Sequence, residues 1–196
     1  MRKINEIFYS LQGEGRHTGT PAVFVRFSGC NLSCDFCDTD HNDGAMMNDE
    51  EIIAAIMQYR DAPMIVITGG EPSLFIDHEF IEKLKRETHK YIAIETNGTC
   101  GLPVNIDWIT LSPKQGFEGG DKFPVIIDKC NELKVVYKGQ QLEPYFNIKA
   151  GYYYLQPCST GNPEYDNRNI TATIGAVLKD TRWKLSLQTH KLLDIR

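Results

Sequence analysis

Short apolar runs alternate along this chain with turn residues and with stretches whose apolar positions recur every three or four residues. Ile4–Tyr9 and Ala22–Phe27 read as strands, joined by the glycine-rich stretch Gln12–Gly19. Asn48 opens a helix. Its side chain can cap the first turn, Glu51 stands three residues on, and Ile52, Ile53, Ile56 and Met57 return on one face. Met64–Thr68 predicts a buried strand, cut off by Gly69-Gly70-Glu71-Pro72. Phe80, Ile81 and Leu84 mark a second helix, and Tyr91–Glu95 and Trp108–Leu111 two strands. Leu133–Tyr137 and Tyr152–Leu155 follow as strands, Ile170–Leu178 as a helix and Lys184–Leu187 as a last strand.

Strands interleaved with helices predict an α/β fold with a mostly parallel sheet, because parallel neighbours need a long return connection. Eight βα units take about 250 residues, so the 196 residues here allow a partial barrel or an abbreviated sheet. Such folds place their chemistry at the C-terminal ends of the strands. Those ends read Ser28-Gly29-Cys30, Thr68-Gly69-Gly70-Glu71, Glu95-Thr96-Asn97-Gly98, Leu111-Ser112-Pro113-Lys114 and Leu155-Gln156-Pro157. Polar residues and glycines collect there, and one shared pocket is expected.

Composition narrows the class. With 41% hydrophobic and 24% charged residues the chain can bury a core, and its length predicts a single domain over 1–196. The net charge of −5 lacks the basic excess of a phosphate-backbone reader, so direct nucleic-acid binding is disfavoured. No apolar run approaches a membrane span or a secretory core, and a cytoplasmic location is expected.

In a reducing compartment cysteines are thiols or metal ligands, and three of the six, Cys30, Cys34 and Cys37, fall within eight residues. A zinc site completed by His41 is one reading, although structural zinc normally pairs two dyads of ligands. The other is a four-iron, four-sulfur cube held at three corners, whose remaining iron is open to a small molecule. A fourth cysteine from elsewhere, Cys100 or Cys130, would close such a cube and make an electron carrier.

Cys30-x3-Cys34-x-Phe36-Cys37 after one strand, with Gly69-Gly70-Glu71-Pro72 after the next, resembles the radical S-adenosylmethionine (SAM) superfamily. The resemblance implies an abbreviated partial (β/α)6-type radical SAM barrel, a [4Fe-4S] cluster on Cys30, Cys34 and Cys37, and SAM chelated at the open iron. Reductive cleavage of that cofactor gives a 5′-deoxyadenosyl radical, and the protein binds, orients and excludes water. Cofactor contacts are expected from Gly70, whose missing Cβ admits a close approach, and from Glu71 as acceptor for the methionine ammonium. Phe36 is expected against the adenine, with Asp38, Ser112, Pro113, Lys114 and Gln156 nearby.

Four further segments narrow the resemblance to the 7-carboxy-7-deazaguanine synthases: Ser10-Leu11-Gln12-Gly13-Glu14-Gly15, Cys37-Asp38-Thr39, Leu111-Ser112-Pro113-Lys114 and Leu187-Gln188-Thr189-His190-Lys191. Such enzymes contract 6-carboxy-5,6,7,8-tetrahydropterin to 7-carboxy-7-deazaguanine with loss of ammonia, on the route to queuosine and related deazapurines. The resemblance implies that Gln12, Gly13 and Glu14 read the pterin edge, where one carboxylate can accept from adjacent N–H donors. Arg26 would meet the substrate carboxylate, with a surface ion pair as its ordinary alternative. Thr68, His190 and the terminal residue Arg196 would complete the substrate contacts, and Thr39 would ligate Mg²⁺, a hard ion that takes few protein oxygens. No side chain is assigned to bond cleavage itself. A homodimer and a flavodoxin-type electron donor are further implications. The gap between Cys30 and Cys34 is shorter than in parts of that family. A glycyl-radical-enzyme activase shares the cysteine spacing and the Gly-Gly-Glu-Pro turn, but would need a face for a partner protein.

Overall fold

Period-two alternation along the strands organises the molecule. The computed structural model describes residues 1–196 and contains strands β1 (Arg2–Leu11), β2 (Pro21–Phe27), β3 (Ala45–Met47), β4 (Met64–Gly69), β5 (Tyr91–Thr96), β6 (Trp108–Leu111), β7 (Lys129–Tyr137), β8 (Lys149–Pro157) and β9 (Lys184–Leu185). They form one sheet in the order β3-β1-β2-β4-β5-β6-β7-β8-β9. From β2 to β9 every neighbour is parallel, whereas β1 runs antiparallel to both β2 and β3.

Helices α1 (Asp49–Ile56) and α2 (His78–Thr88) cover one face of the sheet. Their Ile52, Ile53, Ile56, Phe80, Ile81 and Leu84 join Val23, Val25, Phe27, Ile65, Ile67, Ile92 and Ile94 in the largest core cluster. Each such side chain taken fully out of water contributes roughly 1.5–3 kcal/mol, so this layer dominates the packing energy. The intervening residues Ala22, Phe24, Met64, Val66 and Ala93 turn to the opposite face and pack with Phe8 in a smaller cluster. Further along the same face, towards the strand C-termini, the sequence turns polar at Arg26, Thr68 and Glu95. These lie level across the sheet, since Arg26 pairs with Thr68, and Ile67 and Ile94, the residues before Thr68 and Glu95, pair with each other.

The helix starts follow their caps. Asn48 and Glu51 exchange both bonds of a capping box, and Asp77 Oδ1 accepts from Phe80 N at 2.8 Å. Helix α3 (Pro163–Lys179) begins at Pro163 rather than Ile170, capped by Asn162 with proline in its first turn, and packs on β8 and β9. Regular alternation of strand and helix fails after β5. Residues 97–107 and 112–128 carry no helix, and residues 138–148 hold only the short turn Glu143–Tyr145, because glycines and prolines break any amphipathic run. Strand β3 and the terminal helix α4 (Thr189–Leu193) are additions that the apolar pattern does not signal.

Candidate active site

The cysteine loop leaves the end of β2 and is fixed by backbone bonds. Gly70 N donates to Phe27 O (3.0 Å), Glu71 N to Gly29 O (2.9 Å) and Gly29 N to His41 O (2.8 Å). On its other side Ser33 N and Asp35 N donate to Gly119 O and Glu118 O, from the loop after β6. Gly119 has φ +73°, and a Cβ there would lie 2.1 Å from Ser33 O, so that clamp requires glycine. Cys30 and Cys34 are half-buried and Cys37 is exposed, and all three line one cavity of about 590 Å³ at the strand C-termini. Burial pushes the Cys30 and Cys34 thiols up, which favours the protonated form in the metal-free protein.

His41 also lines the cavity, yet no three His, Cys, Asp or Glu side chains converge as the ligand set of a single ion. The closed zinc site therefore has no preformed tetrahedron. Cys130 is buried at the N-terminal end of β7, remote from the loop, with its thiol pushed up to about 12 by burial. Cys100 follows Thr99, whose hydroxyl accepts from Asn31 Nδ2 (2.7 Å), but it does not line the cavity. Three soft sulfur donors facing one shared space, with no fourth cysteine among its walls, suit a polynuclear centre with an open corner.

Beside the cysteines, Gly70 presents bare backbone: a Cβ on it would lie 2.0 Å from Gly29 O and 3.1 Å from Cys30 N. Glu71 departs from its expected role. It is wholly buried and absent from the cavity wall. Its Oε1 accepts from Ser73 N (3.0 Å) and Thr96 Oγ1 (2.8 Å), and its Oε2 from Asn97 N (2.6 Å). Buried behind the wall, Glu71 uses these bonds to order the end of β5, and Thr96 and Asn97 face the cavity in its place. Pro113 likewise shapes its loop without reaching the cavity, whereas Ser112 and Lys114 on either side do reach it, joined by an Nζ–Oγ bond of 2.7 Å. Phe36 lines the space with its ring 4.2 Å from that of Phe117. Asp38 reaches the wall too but binds Lys191 Nζ (2.7 Å), stitching the cysteine loop to the C-terminal segment.

Across the cavity lie Gln12, Gly13, Glu14, Arg26, Thr68, Gln156, His190 and Arg196, with the half-buried Thr39 also in its wall. Gly13 O accepts from Thr189 N (2.9 Å), and a Cβ on Gly13 would lie 2.2 Å from His190 Nδ1. The missing side chain thus lets α4 close on the Gln12–Glu14 segment. Arg26 Nε donates to Glu6 Oε1 (2.9 Å), and the other oxygen of Glu6 is held by Arg196. The ion-pair alternative for Arg26 is therefore realised, at the cavity wall rather than on the outer surface.

The strongest electrostatic feature is absent from the sequence reading. Lys134, on β7 with its side chain only 4% exposed, pairs with Glu14 and with Glu95 (3.2 Å). Burial alone would raise the carboxyl of Glu14 and lower the ammonium of Lys134, but their mutual attraction outweighs it. Glu14 sits below the usual carboxylate range and Lys134 above the usual lysine range. Lys114 moves the other way, lowered by burial and then by the charge of Lys134. Glu95 and Gln188, which donates to Glu14 Oε1 (3.0 Å), were missed with it. A signal existed: in Asn131-Glu132-Leu133-Lys134-Val135 the charged residues take alternate positions of a parallel strand, the face opposite the buried Leu133 and Val135.

The sequence pattern of the radical SAM superfamily matches residues 24–116. The chain is 55% identical over 196 residues to the 7-carboxy-7-deazaguanine synthase of Bacteroides thetaiotaomicron, covering all of both chains. It is 38% identical to that of Burkholderia multivorans, with 98% of each chain covered. For the Haemophilus influenzae protein of the same name the identity is 38%, covering 98% of this chain and 93% of the relative. Among solved structures, QueE from Escherichia coli superposes with a TM-score of 0.75 at 28% identity, over 96% of this chain and 94% of that one. SuiB of Streptococcus suis, bound to its precursor peptide SuiA, shares the fold alone: TM-score 0.54 at 15% identity, over 80% of this chain and 46% of that one.

Proposed function

The chain belongs to the 7-carboxy-7-deazaguanine synthase family of radical SAM enzymes, and from that premise we propose how its side chains divide the conversion of 6-carboxy-5,6,7,8-tetrahydropterin to 7-carboxy-7-deazaguanine. The family uses a [4Fe-4S] cluster and SAM, which when bound supply the one-electron chemistry that removes hydrogen from the substrate. Cys30, Cys34 and Cys37 would hold the cluster, and the bare backbone of Gly69-Gly70 would admit the methionine end of the cofactor. Phe36, braced by Phe117, would pack on the adenine. Ser112, Lys114 and Gln156 would bind polar groups of the cofactor from the later strand ends.

Glu14 accepts from the pterin N–H edge, and Thr68 with Glu95 bounds the ring. Arg26 turns from Glu6 to the substrate carboxylate, a guanidinium exchanging one carboxylate for another. Thr39 would offer its hydroxyl to Mg²⁺, a hard cation that would supply positive charge beside the substrate carboxylate. His190 and Arg196 close the cavity over the ring and exclude water. The observation that carries this reading is that three thiols and a buried carboxylate–ammonium set share one cavity.

The reading extends to partners and setting. One radical SAM domain over 1–196 is supported by the single sheet that runs through the chain. A flavodoxin-type donor is supported by the exposure of Cys37, and a homodimer by the exposed apolar stripe Ile170, Ile174 and Leu178 on α3. A cytoplasmic setting is supported by six unpaired cysteines. No helix is long and apolar enough to cross a membrane.

Anaerobic reconstitution with iron, sulfide and SAM, followed by turnover of the carboxy-tetrahydropterin with and without Mg²⁺, tests the assignment. Deazaguanine product, stimulated by Mg²⁺ in the wild type and unaffected by it in Thr39→Ala, is expected. Equal stimulation of both proteins refutes the role of Thr39, and no product from a fully loaded wild type refutes the reaction.

A further inference from the structure

Two half-buried carboxylates set close together on one cavity wall repel each other, and a compensating charge between them relieves the cost of ionising both. Glu14 and Glu95 are such a pair, and the ammonium of Lys134 lies between them. Every other bond to the pair is also donated to it. Gln156 Nε2 and Gln188 Nε2 donate to Glu14 Oε1 at 3.0 Å each. Gln12 Nε2 donates to Glu95 Oε1 at 3.3 Å, and Thr68 Oγ1 to Glu95 Oε2 at 3.2 Å. Burial works against the charge of Glu14, but Lys134 and the donated bonds outweigh it and favour its ionised form, while Glu95 receives donors on both of its oxygens. Two carboxylates and one ammonium leave one negative charge over, so the wall offers acceptors and selects ligands with donors.

We infer that Lys134 is a positioning residue that keeps Glu14 and Glu95 as a fixed pair of acceptors for the N–H edge of the substrate ring. The inference rests on the pterin reading of the site. Without the lysine, one carboxyl of the pair takes up a proton and changes from acceptor to donor. It would then oppose the donor edge of the ring instead of receiving it.

The other charged groups around the pair are Glu132, Lys114 and His190. Glu132 is raised by burial and accepts from Arg16 N at 2.9 Å, so it is committed to the turn at Gly15–His17. Lys114 bonds to Ser112, and His190 sits against Gly13. None of the three takes the place of Lys134 between the two carboxylates.

The test compares wild-type holoenzyme with Lys134→Met and Lys134→Arg. Binding of 6-carboxy-5,6,7,8-tetrahydropterin is measured by anaerobic calorimetry from pH 6 to 9, with kcat/KM in parallel. Wild-type affinity is expected to show no carboxylate titration in that window. The methionine protein should weaken roughly tenfold for each pH unit below a new ionisation inside it, and recover as pH rises. Arginine, which keeps the charge, should restore the wild-type pH profile even where its size weakens binding overall. A loss in Lys134→Met that is the same at every pH, or no loss, overturns the inference. If the methionine protein does not accumulate, Lys134→Gln carries the same expectation, because it fills the space without a charge. Wild type that is loaded with cluster and SAM yet binds no carboxy-pterin fails differently: it removes the substrate reading, and this inference with it.

Discussion

Replacing Glu71 by Gln separates two roles for the acid of the Gly-Gly-Glu-Pro turn. In the structure its two oxygens receive three bonds, from Ser73 N, Thr96 Oγ1 and Asn97 N, in a place with no exposure. The substitution keeps shape but turns one oxygen into an amide that points hydrogens at a backbone N–H. Either Asn97 N or Ser73 N is then left buried without an acceptor. One unsatisfied buried donor costs about 1–3 kcal/mol and the lost charged bond about 1.5–3 kcal/mol. The sum, allowing for relaxation, is about 3 kcal/mol. For a chain of this size that lowers Tm by about 6–12 °C. Thermal unfolding of the cluster-free protein measures it without involving the cofactor, and SAM binding to the reconstituted protein is measured alongside. An unchanged Tm with SAM binding abolished would refute the reasoning. It would mean that Glu71 meets the methionine ammonium directly, as the sequence alone suggests.

Two other outcomes test the cysteine loop and the fate of the remaining thiols. Gly70→Ala places a methyl 2.0 Å from Gly29 O, a backbone atom that cannot swing aside, so iron per chain after reconstitution should fall well below wild type; full loading would show that the loop yields. Cys130, with its thiol at about 12, should resist iodoacetamide at pH 8 in the folded metal-free protein while exposed Cys37 is alkylated first, as read by peptide mass spectrometry; early labelling of Cys130 would contradict its burial.

The sequence exposed the parts of this fold that local physics decides. Asn48 with Glu51 ahead of an apolar repeat marks a helix start, and Met64–Thr68, short, rich in β-branched residues and closed by Gly69-Gly70, marks an interior strand. The direction of β1 was not legible, because an N-terminal strand reads the same whichever way its neighbour runs. Helix α3 was recognised only from Ile170 because its first turns bury almost nothing: Thr173 is its single buried residue. In the site, the cysteines, glycines and Gln12–Glu14 stand out because their spacing is unusual. For Glu71 a motif shows which residue is present, not which way its carboxylate turns. Lys134 was passed over as one charged residue among many, since only the register of β7 against β6 and β8 brings it inside.

The order of residues along the neighbouring strands explains how the chain affords a polar interior at all. On the cavity-facing side of β2, β4 and β5 the residues run apolar, apolar, polar: Ala22, Phe24, Arg26; Met64, Val66, Thr68; Tyr91, Ala93, Glu95. The first two positions of each strand close the floor, and the third opens the site. The opposite side of the same strands carries the apolar set Val23, Val25, Phe27, Ile65, Ile67, Ile92 and Ile94, packed against α1 and α2. Stability is thus concentrated on the helical side, which leaves the third tier free to hold charges that add little to folding. A buried ion pair contributes weakly compared with apolar packing of the same volume, so Glu14, Glu95 and Lys134 are poorly explained as a stabilising device. Their position at the one level where the floor ends, among donors that all point at the two carboxylates, is explained by a ligand whose donors complete the set.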